Sequence, residues 1–151
     1  MIIVTLKYLQ LLQGGRAMSD FDNFEKSLLK LNEELKGKKA KSFLKSQGKK
    51  LQKKTLEVAE RKTKKRTGNY IRGIKSGKVY EFEGSYSTRV YSKAPHAHLI
   101  EYGHKIVNKN GEVKGYQRGL NVFEDAKNAF EDEFVEAVTN YIDEICKKNG
   151  F

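Results

Sequence analysis

Apolar positions along the chain change their spacing from segment to segment, and each spacing predicts a different element. Phe21, Phe24, Leu28, Leu31 and Leu35 recur at steps of three and four, which predicts an amphipathic helix stopped by Gly37. A second helix is predicted from about Lys38 to Lys65, on Phe43, Leu44, Leu51, Leu56, Val58 and Ala59. Its stripe is thin and Gly48 weakens its middle, so tertiary contacts must support it. The fullest stripe comes last: Phe123, Ala126, Phe130, Phe134, Ala137, Tyr141 and Ile145. Asn121 stands at the N-cap of that helix, with Glu124 at the third helical position.

Between the helices lies "TGNYIRGIKSGKVYEFEGSYSTRVYSK", where aromatic and β-branched residues are punctuated by Gly68, Gly73, Gly77 and Gly84. Val79 to Glu83 alternates, and Thr88 to Ser92 can pair with it across Gly84-Ser85, which predicts an antiparallel hairpin or a three-stranded meander. Pro95, the single proline, ends the last strand. Lys105 to Gly119 is polar, holds Gly111, Gly115 and Gly119, and reads as a loop. The predicted class is α+β: a small antiparallel β-sheet packed against a long C-terminal helix, with N-terminal helices beside it.

At 151 residues the chain suits one domain with one core. That domain is expected over 18–151, with a basic helical part at 21–66, a sheet and turn core at 67–120 and the C-terminal helix at 121–148. Residues 1–17 read as an extension outside it. "MIIVTLKYLQLLQGG" has an apolar start, but it lacks the basic n-region of a secretory signal and no small-x-small cleavage pattern follows. Met18 is the expected natural start, Ser19 or Asp20 a helix cap, and "QGGRA" a translated purine-rich leader. No run approaches the ~20 apolar residues that span a bilayer. The single cysteine, Cys146, rules out an intramolecular disulfide and makes a reducing compartment the default.

Charge changes the picture more. The formal net charge is +11, an excess that favours an acidic partner such as nucleic acid, an anionic membrane or an acidic protein surface. Lys36 to Lys78 holds 17 Lys or Arg against Glu57 and Glu60, a net of +15, so the remainder nets −4. The C-terminal helix carries an acidic face: Glu124, Asp125, Glu131, Asp132, Glu133, Glu136, Asp143 and Glu144. The basic run is nearly all lysine and has no turn-separated recognition helix with base-reading residues, which argues against sequence-specific DNA readout. Non-specific contact with phosphates stays open.

The candidate chemistry lies in "KAPHAHLIEYGHKI", Lys93 to Ile106, which gathers all three histidines. As a metal site, His96 and His98 would face one way in a strand and Glu101 would be a third ligand; the spacing matches no established zinc signature. As a catalytic site, a His–Glu pair could exchange protons, but no nucleophile or oxyanion hole accompanies it. As scaffold, Ala97, Leu99 and Ile100 anchor a short element in the core and Tyr102-Gly103 makes a turn, the histidines filling polar or interface positions.

The order of segments resembles a known family. A lysine-rich helix runs into "KKRTGNYIRGI", a strand region leads to "VYSKAPHAHLIEYGHKIV", a Gly-rich loop follows, and "VFEDAKNAFEDEF" opens a terminal helix. This resembles the tail-completion, or head–tail joining, proteins of long-tailed bacteriophages and defective prophages, the gene-product-ten-like minor tail components. Thr67, Gly68 and Tyr70 match the family's Thr-Gly-x-aromatic end of the basic helix. Val90, Tyr91, Ala94, Pro95, Ala97, His98, Glu101, Tyr102 and Gly103 match its strand and Ala-Pro-Tyr-Ala-His-x-x-Glu-Tyr-Gly core, with His104 a common variant. His96 departs from the usual tyrosine, which argues against an essential role for it. The resemblance covers roughly Lys26 to Ile145.

It implies a non-enzymatic structural protein without cofactor or metal, a ring-forming homo-oligomer at the head-proximal end of the tail. Its implied partners are tail-tube or tail-terminator and head-completion proteins, with possible non-specific contact to DNA in the channel and none to membrane. Its implied location is the virion's neck, after assembly in the host cytoplasm. Pro95 would break the strand, Ala97 allow close packing and Gly103 permit the chain reversal. His98, Glu101 and Tyr102 would be hydrogen-bonding partners that fix this turn or a subunit contact. The rival readings are a non-specific nucleic-acid-binding protein and, further off, a metal-dependent enzyme using His96, His98 and His104.

Overall fold

The computed structural model describes residues 2–5, 21–63 and 68–151. Met18, the caps expected at Ser19 or Asp20, and Thr67 lie outside the described residues. The chain runs β1 (Ile2–Thr5), α1 (Phe21–Lys36), α2 (Lys38–Lys62), α3 (Asn69–Gly73), β2 (Ile74–Ser76), β3 (Tyr80–Phe82), β4 (Ser85–Ser92), α4 (Ala97–Tyr102), β5 (Gly103–Val107), β6 (Val113–Arg118), α5 (Val122–Asn128) and α6 (Glu131–Lys148). The α+β class is the expected one, with helices first and a long helix last.

The centre of the fold is α2. Its buried positions are Ala40, Leu44, Gln47, Gly48, Leu51, Thr55, Val58 and Ala59, a continuous helical stripe in which small and polar residues replace half of the large apolar ones. That is why the stripe looks thin in the sequence. Gly48 explains itself by distance: a Cβ there would lie 2.9 Å from Ser76 Oγ, 3.0 Å from Thr88 Oγ1 and 3.1 Å from Thr88 Cγ2. The absent side chain lets α2 approach β2 and β4 closely, which offsets the helix-propensity cost. Thr55 is neutral within the buried stripe because its hydroxyl donates to Leu51 O at 2.7 Å.

β4 is the central strand of the main sheet. β1, within the stretch read as an extension, runs antiparallel along one edge, with Ile2 opposite Val90 and Thr5 opposite Ser87. β2 and β3 share the other edge. Ser76 pairs with Val90 and Tyr80 with Ser87, so the intervening residues contain one more on this side than on β4, a bulge within what is otherwise one strand. The β3–β4 turn is tight and falls one residue earlier than predicted: Phe82 pairs with Ser85, and both central residues, Glu83 (φ 48°) and Gly84 (φ 72°), are left-handed. That is the geometry of the two-residue turns that match strand twist.

The face of this sheet is covered chiefly by α2, and α5 packs against α2 in turn. Leu51, Val58, Ala59, Tyr70, Ile74, Val90, Val122, Phe123, Ala126 and Phe130 form one buried cluster. The predicted C-terminal helix is two helices. Phe130 N–H donates to Lys127 O at 3.0 Å, a three-residue step, before Phe134 N–H resumes with Phe130 O at 2.9 Å. The break lets α5 stay in the core while α6 turns to α1 and the first half of α2. There Tyr141 stacks on Phe43 with centroids 4.3 Å apart, and Lys148 pairs with Glu34.

The loop predicted over Lys105–Gly119 is instead a β-hairpin, β5 against β6. Its strands show no polar–apolar alternation because both faces are largely exposed, so the sequence carries no period-2 signal. Asn108 builds the reversal: its side-chain oxygen accepts from the N–H groups of Asn110 at 3.0 Å and Glu112 at 2.8 Å.

Candidate functional site

The short helix α4, holding most of the singled-out motif, is pinned between the two ends of the sequence core. Tyr70, the aromatic of the Thr-Gly-x-Tyr segment, is buried in α3 and donates its hydroxyl to Glu101 Oε1. Glu101, also buried, accepts from Phe123 N–H through Oε2 at 3.2 Å. One carboxylate therefore ties α3, α4 and α5 together. It also does the work predicted for Asn121. That residue stands at the N-cap in a left-handed conformation, and its side chain makes no capping bond, so the orphan N–H of α5 is satisfied from a remote residue. Burial and the bond to Glu101 both push the Tyr70 hydroxyl's pKa far up, which keeps it a neutral donor.

The backbone seals the same junction. Leu120 N–H donates to Ile100 O at 2.8 Å and Asn121 N–H to Glu101 O at 3.2 Å. Lys62, at the end of α2, donates to Leu120 O at 2.6 Å and pairs with Asp125. Gly103, at φ 83°, turns the chain from α4 into β5. A Cβ on Gly103 would come within 2.3 Å of Gln117 O, and one on Gly119 within 2.2 Å of Glu101 O. The two glycines let the base of the hairpin lie directly on the end of α4.

The remaining motif residues are placed as follows. Gly68, at φ 69°, precedes α3 and its carbonyl accepts from Arg72 N–H at 3.0 Å. Pro95 is exposed in the turn after β4, and Ala97 is half-buried against the core. Tyr102 contributes its carbonyl, which accepts from Tyr116 Oη at 2.9 Å, while its own ring is 73% exposed. His96 and His98 are exposed, His96 in the turn that leads into α4 and His98 in the helix's first turn, and not side by side on one face of a strand. His104 is half-buried in β5, its Nδ1 3.5 Å from Leu99 O. Among the described residues no three His, Cys, Asp or Glu side chains converge where they could hold a metal ion.

Tyr70 as the partner of Glu101, Lys62 as the clamp on Leu120, and Gly119 are residues that sequence reasoning did not assign to the site. Spacing could not have found them, since Tyr70 and Glu101 are 31 positions apart. A buried carboxylate requires a donor, and that expectation was the one available signal.

Outside this junction the molecule offers charged surfaces. Lys38, Lys41, Lys45, Lys49 and Lys53 are exposed on α2 at three- and four-residue steps. Asp132, Glu136 and Asp143 are exposed on α6. No helix of the described residues is long and apolar enough to cross a membrane.

Residues 22–103, more than half of the chain, match the family model described as "Bacteriophage HK97-gp10, putative tail-component". The match begins near the expected Lys26 and ends at Gly103, so α1 through α4 are inside it and the β5–β6 hairpin, α5 and α6, which the sequence resemblance had included as far as Ile145, are not. No curated protein and no solved structure matches the chain. With the basic helix, the Thr-Gly-x-Tyr segment and Glu101 itself inside the matched span, the chain belongs to the HK97-gp10-like family of bacteriophage tail components.

Proposed function

We propose that this tail component is a non-catalytic assembly subunit that completes the tail and joins it to the filled head, acting as a ring at the tail's head-proximal end. The observation that carries this reading is the use made of the motif: the buried Glu101 spends both oxygens on Tyr70 and Phe123. A carboxylate so engaged locks three elements together, and leaves the surfaces on either side of them as the parts available to partners. The partners in this reading are further copies of the chain, tail-tube or tail-terminator proteins, and head-completion proteins, in the neck of the virion.

The test is deletion of the gene from an active prophage that carries it, followed by electron microscopy of the lysate. DNA-filled heads beside separate or abnormal tails are expected. Empty heads, or failure to amplify phage DNA, would remove the joining function.

The lysine face of α2 supports an accompanying role. None of Lys38, Lys41, Lys45, Lys49 and Lys53 is in an ion pair among the described residues, and the row has no apolar member to bury. A row of this kind suits phosphates, so a ring with these faces turned inward would hold exiting DNA without reading its sequence. Retention of duplex DNA that falls steeply with added salt, and falls further in Lys45→Glu/Lys49→Glu, checks it.

A further inference from the structure

The β5–β6 hairpin has a composition that the joining function alone does not explain. Ten large apolar side chains are markedly exposed among the described residues, and five of them lie in or beside this hairpin: Tyr102, Ile106, Val107, Val113 and Tyr116, from 46% to 73% exposed. Val107 faces Val113 across the strands, and Lys105 faces Tyr116. A two-stranded ribbon with both faces in water is marginal. This one is fixed at its base by the Gly103–Gly119 contact and by Tyr116 Oη on Tyr102 O, while its apolar residues beyond the base are left uncovered. Clustered exposed apolar groups of this kind mark an interaction surface.

Charge selects the partner. The hairpin carries Lys105, Lys109, Lys114 and Arg118, all exposed, and none is in an ion pair among the described residues. Its one acid, Glu112, is held by Asn108 Nδ2 at 2.7 Å. Phosphates would satisfy these cations but would give Val107, Val113 and Ile106 nothing to bury against. The matching surface is on the chain itself. Asp132, Glu136, Thr139 and Asp143 follow one another at steps of three and four along the outward side of α6, with Val135 beside Glu136, all exposed, and Val135 57% exposed among the acids. Asp132, Glu136 and Asp143 also lack ion-pair partners among the described residues.

We infer that the β5–β6 hairpin is an arm that docks on the outward face of α6 of a second copy of this chain, its basic residues meeting Asp132, Glu136 and Asp143 and its valines meeting Val135. The two patches differ, so the contact is heterologous: each copy gives an arm and receives one, and the chain of contacts closes into a ring when the rotation permits. The inference rests on the reading of the chain as a self-assembling subunit, and supplies the interface that reading lacks. Charge sets the register and direction of such a contact, and makes it sensitive to salt.

The test uses the purified full chain in sedimentation velocity at low salt. One variant reverses the arm, Lys105→Glu/Lys114→Glu; a second reverses the ridge, Asp132→Lys/Glu136→Lys. All four positions are exposed, and circular dichroism with thermal melting checks that both variants fold as the wild type does. Wild type is expected to assemble and each variant alone to stay monomeric. An equimolar mixture is expected to assemble again, because every arm then finds a ridge of opposite sign. A Val107→Ser/Val113→Ser chain, with charges intact, is expected to assemble more weakly than wild type. Unchanged assembly of either charge variant alone, a mixture that stays monomeric, or a wild type that itself stays monomeric would each overturn the inference. The joining function is read separately in the prophage: an arm-reversed chain that still yields joined particles removes this interface and leaves that function standing.

Discussion

Tyr70 and Glu101, 31 positions apart, form a buried hydrogen-bonded pair that joins the segment after the basic helix to the centre of the histidine-containing motif. The pair converts two separate motifs into one structural device. Its second oxygen reaches the first turn of α5, so the carboxylate also decides where the C-terminal part of the chain begins.

Removing one side of that pair should therefore cost more than an ordinary surface hydrogen bond. Tyr70→Phe keeps the ring in the core and strands a buried carboxylate oxygen, for an expected loss of about 1–3 kcal/mol. Glu101→Ala loses the hydroxyl's acceptor and the cap of α5 together, for an expected loss of about 2–4 kcal/mol. Urea unfolding of both single variants and the double variant checks this. The double variant should cost less than the sum, because the two share one interaction.

The close approach at the hairpin base makes a second prediction. Gly103→Ala meets both a left-handed φ and Gln117 O at 2.3 Å, so about 2–4 kcal/mol of destabilisation is expected, and more for Gly103→Val. Gly119→Ala meets Glu101 O at 2.2 Å and should behave similarly. Gly111→Ala, whose Cβ would meet nothing within 4 Å, should suffer only the left-handed strain. Thermal melting of the three variants orders them, and a Gly119→Ala as stable as wild type would contradict the geometry.

The legible parts of this fold were those where a buried face meets an exposed one. α2 and α6 bury residues along one stripe and α1 half-buries Leu28, Leu31 and Leu35, so their spacing is visible in the residues. The β5–β6 hairpin buries neither face, and its Lys, Asn and Gly residues therefore read as loop. The α5–α6 break is invisible for a different reason: Phe123, Ala126, Phe130 and Phe134 keep helical spacing straight through it, and a local three-residue hydrogen bond has no composition of its own. In the junction, Gly103 was legible as a turn and Glu101 as a motif residue. Their partners were not, because Tyr70, Phe123 N–H and Gly119 are supplied by tertiary packing.

Gly48 separates helix propensity from packing. In an isolated helix, Gly→Ala gains about 1 kcal/mol. Here the new methyl would press on Thr88, which is buried, and on Ser76 at 2.9 Å. The overpacking should win, giving a net loss of about 1–2 kcal/mol for Gly48→Ala. Chemical denaturation decides the sign, and a stabilised variant would show that α2 can move off the sheet at no cost.

The exposed histidines invite a simpler experiment. His96→Tyr places on an exposed turn the residue that the resembled family uses there, and stability within about 0.5 kcal/mol of wild type is expected. Addition of a chelator should leave the melting temperature unchanged. A tightly held zinc found by elemental analysis, at one per chain, would instead revive a ligand role for His98 and His104.

The last prediction concerns pH and the contact between the first helix and the last. Lys148, near the end of α6, donates to Glu34 of α1. The hydrogen bond from Lys148 is the main cause holding the Glu34 carboxyl below its ordinary 4.5, against burial, which acts the other way. The same bond holds the Lys148 ammonium above its ordinary 10.5. A depressed acid contributes stability that is present above its unfolded pKa and lost as pH falls through the folded one. A raised base contributes stability that is present below its unfolded pKa and lost as pH rises through the folded one. The tie should therefore operate between about pH 4.5 and 10.5 and fade on both sides. Lys39, also near Glu34 at 3.4 Å, partly covers for Lys148, so Lys148→Met should weaken the tie less than Glu34→Gln removes it. Hydrogen exchange of the α1 amides across pH, corrected for intrinsic rates, reads this directly. Protection in wild type should exceed that in Glu34→Gln through the neutral range, and the two should converge at acid pH. A difference that persisted unchanged well below the carboxylate range would mean that Glu34 holds α1 by packing and not by charge.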